Sequence, residues 1–156
     1  MEHFRVALFG HRELSEYKRL EGHLRDALHD LIRRGLTLEV LIGRNGEFDA
    51  FAASIVKRLM HAVGKECLSL SLILPYPKAN MKELASYYDD IQIPECLNGI
   101  HPKQAIRARN HWMVENCDLV VGYVEHEHGG AYEALCYAER IGKPILRLRE
   151  AEHDCR

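Results

Sequence analysis

Short apolar runs alternate with segments of helical period along almost the whole chain, and this alternation limits the fold more than any other feature. Residues 4–9, 36–42, 68–74, 119–124 and 144–148 are apolar runs of strand length. Between the first two, Tyr17, Leu20, Leu24, Leu28 and Leu31 recur at spacings of three and four, the period of a helix, with Ser15 as its N-cap and Gly35 as its stop. Phe48, Phe51, Ala52, Ile55, Val56, Leu59 and Val63 form a second apolar stripe. A short helix is predicted over 81–88 and a short extended piece over 91–93. Pro102 suits the first turn of the next helix, and the last helix covers 131–141, stopped by Gly142 and Pro144.

Strands alternating with helices build βα units, and successive units give a mainly parallel sheet covered on both faces. The expected fold is therefore α/β: a three-layer α/β/α Rossmann-like sandwich around a mainly parallel five-stranded sheet, with the strand order left open. A chain of 156 residues suits one domain, predicted over 1–150, with a short charged tail over 151–156.

Composition excludes several classes. The formal net charge is -2, which provides no bulk attraction to polyanions and argues against nucleic acid as a partner. No apolar stretch approaches the roughly 18 residues of a membrane span, and the N-terminal residues lack the basic-then-apolar layout of a secretory signal. The five cysteines, at 67, 96, 117, 136 and 155, show no CxxC spacing. Reduced thiols in the cytoplasm are the expectation.

In a parallel sheet all strand ends point to one edge, where ligands bind. Three of the predicted strand ends carry unusual turns: Gly10-His11-Arg12, Gly43-Arg44-Asn45-Gly46 and Gly129-Gly130-Ala131. Glycine lets a ligand approach the main chain, and a helix N-terminus presents unpaired N–H groups that suit phosphate. Arg12 and Arg44 are candidates to grip phosphate through paired hydrogen bonds. Asp49, with Glu47, lies in a first helical turn, where it either favours the helix dipole or accepts from ribose hydroxyls. Tyr76 and Tyr132 either stack on a base or cap the core. His11 is either a general acid, a phosphate donor or a turn residue. His126 and His128 form a His-x-His pattern, but no third ligand is evident, so no metal is expected. No turn matches GxGxxG or the P-loop, and no cofactor is called for.

The segments VALFGHRE (6–13), LIGRNGEFDAFAA (41–53), LILPYP (72–77), ARNHWMVENCDLVVGYVE (108–125) and GGAYEALCYAERIGKPI (129–145) together resemble the SLOG superfamily, the Rossmann-like domains related to Smf/DprA and to the LOG nucleotide-processing enzymes, and within it the YpsA-like branch. The resemblance covers about residues 4 to 148. It implies a nucleotide site in which Gly10, His11 and Arg12 form the first turn and Gly43, Gly46, Phe48 and Asp49 the second. Arg109, with Asn110, Trp112 and Met113, matches the segment before the fourth strand, and Gly129 and Gly130 match the pair that brings a helix N-terminus against a phosphate. The chain departs from the PGGxGTxxE signature of the LOG enzymes. Glu133 comes three residues before that signature's glutamate, whose place Cys136 takes, and Ala131 stands where YpsA-like proteins often carry threonine.

The leading expectation is a module that senses or sequesters a nucleotide derivative, ADP-ribose-like or a nucleoside monophosphate. The alternative is a phosphoribohydrolase-like enzyme that cleaves an N-glycosidic bond, with Glu133 and Asp49 as candidate carboxylates and Glu47 and Glu125 behind them. A vestigial pocket is the third possibility. The expected partner is the small-molecule nucleotide derivative; Rossmann-like relatives often pair, so a homo-oligomer stays open.

Overall fold

A computed structural model of the chain describes residues 2–148. The charged tail predicted over 151–156, with Cys155, lies outside the described residues. Strand β1 (Glu2–Gly10) leads to α1 (Tyr17–Arg33), β2 (Leu36–Ile42) to α2 (Glu47–Val63), and β3 (Leu68–Ile73) to the short α3 (Met81–Tyr87). Then follow β4 (Asp90–Gln92), a 3-10 turn at Glu95–Leu97, α4 (Pro102–Glu115), β5 (Leu119–Tyr123), α5 (Gly130–Arg140) and β6 (Ile145–Arg147).

All strands are parallel, in the order β4-β3-β2-β1-β5-β6. The fold is thus the expected three-layer sandwich, with six strands rather than five. The additional strand is the segment read as a short extended piece. Three residues are too few for periodicity to identify. Pairing with β3 makes it a strand: Leu72 lies opposite Ile91, Leu74 N–H donates to the Gln92 carbonyl at 2.9 Å, and the Asp89 carboxylate accepts from Leu70 N–H at 2.7 Å.

Side-chain alternation along each strand divides the core. Val6 and Leu8 of β1, Val40 and Ile42 of β2 and Leu70 and Leu72 of β3 pack with the α1 stripe Leu20, Leu24 and Leu28 and with Phe48, Ala52, Ile55 and Val56 of α2. Ala7, Phe9, Leu41, Ile73 and Val120 face the other way, onto Met113 and Val114 of α4 and Ala134, Leu135 and Ala138 of α5. Helices cover both faces, as expected. Nearer the strand starts the second face is polar: the Glu39 carboxylate accepts from Arg5 Nε at 2.9 Å, Ser71 Oγ at 2.7 Å and Gln92 Nε2 at 3.3 Å. Those hydrogen bonds satisfy the polar groups on that face, of which Ser71 is buried.

Local signals set the element ends. Gly35 closes α1 at φ 94° as expected, but Glu16, not Ser15, precedes its first turn. Pro102 opens α4 with His101 as cap, its Nδ1 accepting from Lys103 N–H at 3.1 Å.

The chain builds outward from β1 in both directions. The loops after β1 and β5 leave for opposite faces, since α1 packs on one and α5 on the other. They open a crevice at the switch in strand order, where open α/β sheets bind ligands.

Candidate functional site

The crevice is a cavity of about 420 Å³, within the range of small-molecule sites. The β1 turn contributes Gly10, His11 and Arg12, the β2 turn Gly43 and Asn45, and α2 contributes Asp49. Ile106, Arg109, Asn110 and Met113 of α4 line one wall, at the i, i+3, i+4, i+7 spacing of a single helix face. The α5 entry supplies His126, His128, Gly129, Gly130 and Ala131. The three strand-end turns therefore meet at one place.

Several of the glycines are there for the protein's own atoms. A Cβ at Gly10 would collide with the Phe48 ring, one at Gly43 would lie 2.6 Å from Arg109 Nη1, and one at Gly46 would lie 2.5 Å from Arg12 Cα. At these positions the missing Cβ makes room for close internal packing, while Gly10 and Gly43 also line the cavity. The α5 entry differs. Gly129 has φ 95°, which side chains rarely adopt, and a Cβ there would meet open space. It caps α5 without any side-chain acceptor.

At the floor, Arg109 is buried at 3% exposure. Its Nη1 donates to the Ile73 carbonyl and its Nε to Asn110 Oδ1, both at 2.9 Å. Burial lowers its proton affinity, while the neighbouring Asp49 carboxylate raises it. Asp49 is pushed the opposite way: burial raises its carboxyl, and the Asn45 N–H at 2.9 Å and the Arg109 charge pull it back. Asp49 ties α2 to the β2 turn through the Asn45 N–H, and the Arg109 charge acts on it from α4. Arg12 Nε donates to the Asn45 carbonyl at 3.2 Å, and Glu47 N–H to the Arg12 carbonyl at 2.8 Å, which laces the first two turns.

At the rim, three imidazoles stack. His11 lies 3.5 Å from His126, centroid to centroid, and His126 lies 3.8 Å from His128. His11 Nε2 accepts from Glu125 N–H at 2.9 Å and His126 N–H at 3.3 Å, so its proton sits on Nδ1. Burial, then the nearby His126 and His128, lower its pKa to about 4. His11 is therefore neutral at pH 7, with Nε2 accepting from the 125–126 backbone as a turn residue does. Among the described residues no group of three His, Cys, Asp or Glu side chains is placed to hold a metal ion.

Not every candidate reaches the cavity. Arg44 and Gly46 line a separate groove on the far side of the α2 N-terminus. Tyr76 lies near Arg109 in its electrostatic field but outside the cavity lining, with Lys78 Nζ 5.2 Å from its ring centre. Tyr132 lies outside the cavity lining, beside Cys136 one turn along α5. Glu133 is held at the α4–α5 seam by His111 Nε2 at 2.9 Å and Arg107 Nη2 at 3.3 Å. Glu47 Oε1 accepts from Leu14 N–H at 2.6 Å. Conversely, Asn45 and Ile106 are cavity residues that single-residue reading passed over; the α4 face spacing was the signal for Ile106.

The geometry defines a Rossmann-like domain with a cavity at its switch point. No protein-family model matches the sequence, and no curated protein matches it. Solved structures share the fold. The chain aligns over 93% of its length with DNA processing protein A (DprA) from Streptococcus pneumoniae, at 19% identity and TM-score 0.66, covering 50% of that chain. DprA from Helicobacter pylori aligns over 92% at 18% identity and TM-score 0.60, covering 64% of that chain. TM1055 aligns over 93% at 19% identity and TM-score 0.59, covering 72% of that chain. The chain thus spans about half to two thirds of the length of the two DprA proteins, and what it shares with all three is the fold.

The H. pylori structure is described as showing a single-stranded DNA binding mode. That overturns the expectation against nucleic acid as a partner. Net charge sums over a whole surface, whereas a polyanion responds to the local arrangement of cations and N–H groups. Among the described residues no helix is long and apolar enough to cross a membrane.

Proposed function

We propose that the cavity binds a nucleotide or nucleotide derivative, of the ADP-ribose or nucleoside-monophosphate kind, and that the protein senses or sequesters it in the manner of a SLOG module of the YpsA-like branch. One observation carries this reading: the N-terminus of α5, opened by the positive-φ Gly129 and left without a capping side chain, lines the same cavity as Arg12. A phosphate there completes the α5 cap and meets a guanidinium. The apolar wall of Ile106 and Met113 supplies a surface for a base or ribose, and Asn110 a polar contact. The reduced cysteines fit a cytosolic setting: the Cys117 thiol is buried, and burial raises its pKa to about 11, so it stays protonated and inert.

Hydrolysis of an N-glycosidic bond is the second reading, and one observation favours it: Asp49 is a cavity carboxylate whose burial raises its proton affinity, as a general acid requires. Against it, the carboxylate is already engaged by Asn45 and Arg109, and Glu133 lies at a helix seam.

Calorimetric titration and thermal shift with AMP, ADP-ribose and substituted adenine nucleotides test both. A ligand at 100 times its dissociation constant stabilises the fold by about 2.7 kcal/mol. Binding without release of free base supports the module, and release abolished by Asp49→Asn supports the enzyme. Absence of any shift across the series sinks both.

A further inference from the structure

The second groove, of about 500 Å³, shares a wall with the central cavity. That wall is the first turns of α2. Asp49 lines the central cavity, while Gly46, Ala50 and Ala53, at i, i+4 and i+7, line the groove. Three small residues in a row leave a flat floor. The opposite wall is the end of α3, where Tyr87 and Tyr88 meet edge to face at 5.0 Å and 73°. Tyr87 is 38% exposed, and Lys57 holds it in place: its Nζ donates to the Tyr87 carbonyl at 2.7 Å and lies 4.6 Å from the ring centre. Arg44, itself exposed, lines the groove close enough to the Tyr88 phenol to favour its ionised form against burial, and its chain neighbour Asn45 lines the cavity.

We infer that this groove is a second subsite, which receives the second nucleoside of a ligand whose first nucleotide occupies the central cavity. The chemistry is specific to that class. A small-residue floor beneath a fixed tyrosine forms a slot for a planar base. Arg44 lines the groove and its chain neighbour Asn45 lines the cavity, so the Arg44–Asn45 turn is the bridge between the two sites, with a guanidinium available to a linking phosphate. The ligand class is therefore two bases joined through phosphate, either a free dinucleotide with a 5′–5′ pyrophosphate link or adjoining units of single-stranded DNA. This inference rests on the nucleotide reading of the central cavity.

The test compares dissociation constants, by calorimetry on the full chain, for AMP, for 5′–5′-linked diadenosine diphosphate and for the 3′–5′-linked dinucleotide d(pApA). At least one of the linked compounds is expected to bind tenfold or more tightly than AMP, and which one does so identifies the source. Tyr87→Ala, which removes the ring, and Ala50→Trp, which fills the slot from an exposed helix position, are each expected to cancel that gain. Circular dichroism and melting temperature establish that each variant is folded. Linked compounds that bind no better than AMP, or a gain that survives both variants, overturn the subsite while leaving the nucleotide reading intact. Failure of AMP and both linked compounds to bind overturns the nucleotide reading and the subsite with it.

Discussion

The guanidinium of Arg109 fills the space that a side chain at position 43 would take: a Cβ built on Gly43 would come within 2.6 Å of Arg109 Nη1. Glycine therefore follows strand β2 so that a cation from α4 can reach the Ile73 carbonyl on β3. Gly43→Ala must displace that guanidinium or the turn. Its expected cost is about 1–3 kcal/mol, in line with other overpacked sites, read from the urea midpoint at unchanged slope.

Arg109 is buried with its guanidinium donating to the Ile73 carbonyl and Asn110 Oδ1 and its charge acting on the Asp49 carboxylate, so removing it leaves those buried groups uncompensated. Arg109→Met is expected to destabilise by about 3–5 kcal/mol. Arg109→Lys recovers only part of that, because an ammonium cannot match the fork that serves Ile73 and Asn110. Denaturant titration of the two variants alongside wild type ranks them.

Protonating His11 Nε2 would break both hydrogen bonds that hold residues 125 and 126. Its pKa falls from 6.5 to about 4 on folding, so between those values the unfolded chain binds more protons than the folded one. Stability contributed by the neutral ring is thus full above about pH 6.5 and is lost as pH falls toward 4. The raised Asp49 carboxyl acts in the opposite sense toward acid pH, so the contribution of His11 is isolated by difference. The loss of stability between pH 7.5 and 5.5, measured by urea denaturation, is expected to be smaller in His11→Gln than in wild type.

Arg12 lines the cavity with the α5 N-terminus, whereas Glu133 is held by His111 and Arg107 at the α4–α5 seam. Arg12→Ala is expected to weaken nucleotide binding by about 10- to 100-fold, the equivalent of a charge-assisted hydrogen bond. Glu133→Gln is expected to leave the dissociation constant within about twofold, as a surface ion pair contributes little. Calorimetry on both variants decides between the geometry and the simpler expectation that the first carboxylate after the glycine pair belongs to the site.

Much of the fold was legible because it is written in local pattern. Apolar spacing along residues 17–31 and 48–63 specifies helices whatever they pack against, and glycine at 35 needs only its own backbone. The three-residue β4 was not legible, since only a neighbour at hydrogen-bonding distance makes it a strand. The candidate site divides the same way. That turns 10–12, 43–46 and 129–131 share an edge follows from parallel βα order alone.

What the sequence determined by itself is therefore the parallel α/β layout and the edge at which its turns gather, because both follow from periodicity and chain direction. Which side chains share the cavity was decided by tertiary structure. Arg44 and Asp49 lie five residues apart yet line different pockets, one on each side of the α2 entry. Arg109 reaches the cavity floor because Gly43 leaves room for it, and Glu133 is drawn away because α4 presents His111 and Arg107 to it. Helical rotation and packing partners set those directions, and neither is encoded in the spacing of the residues concerned.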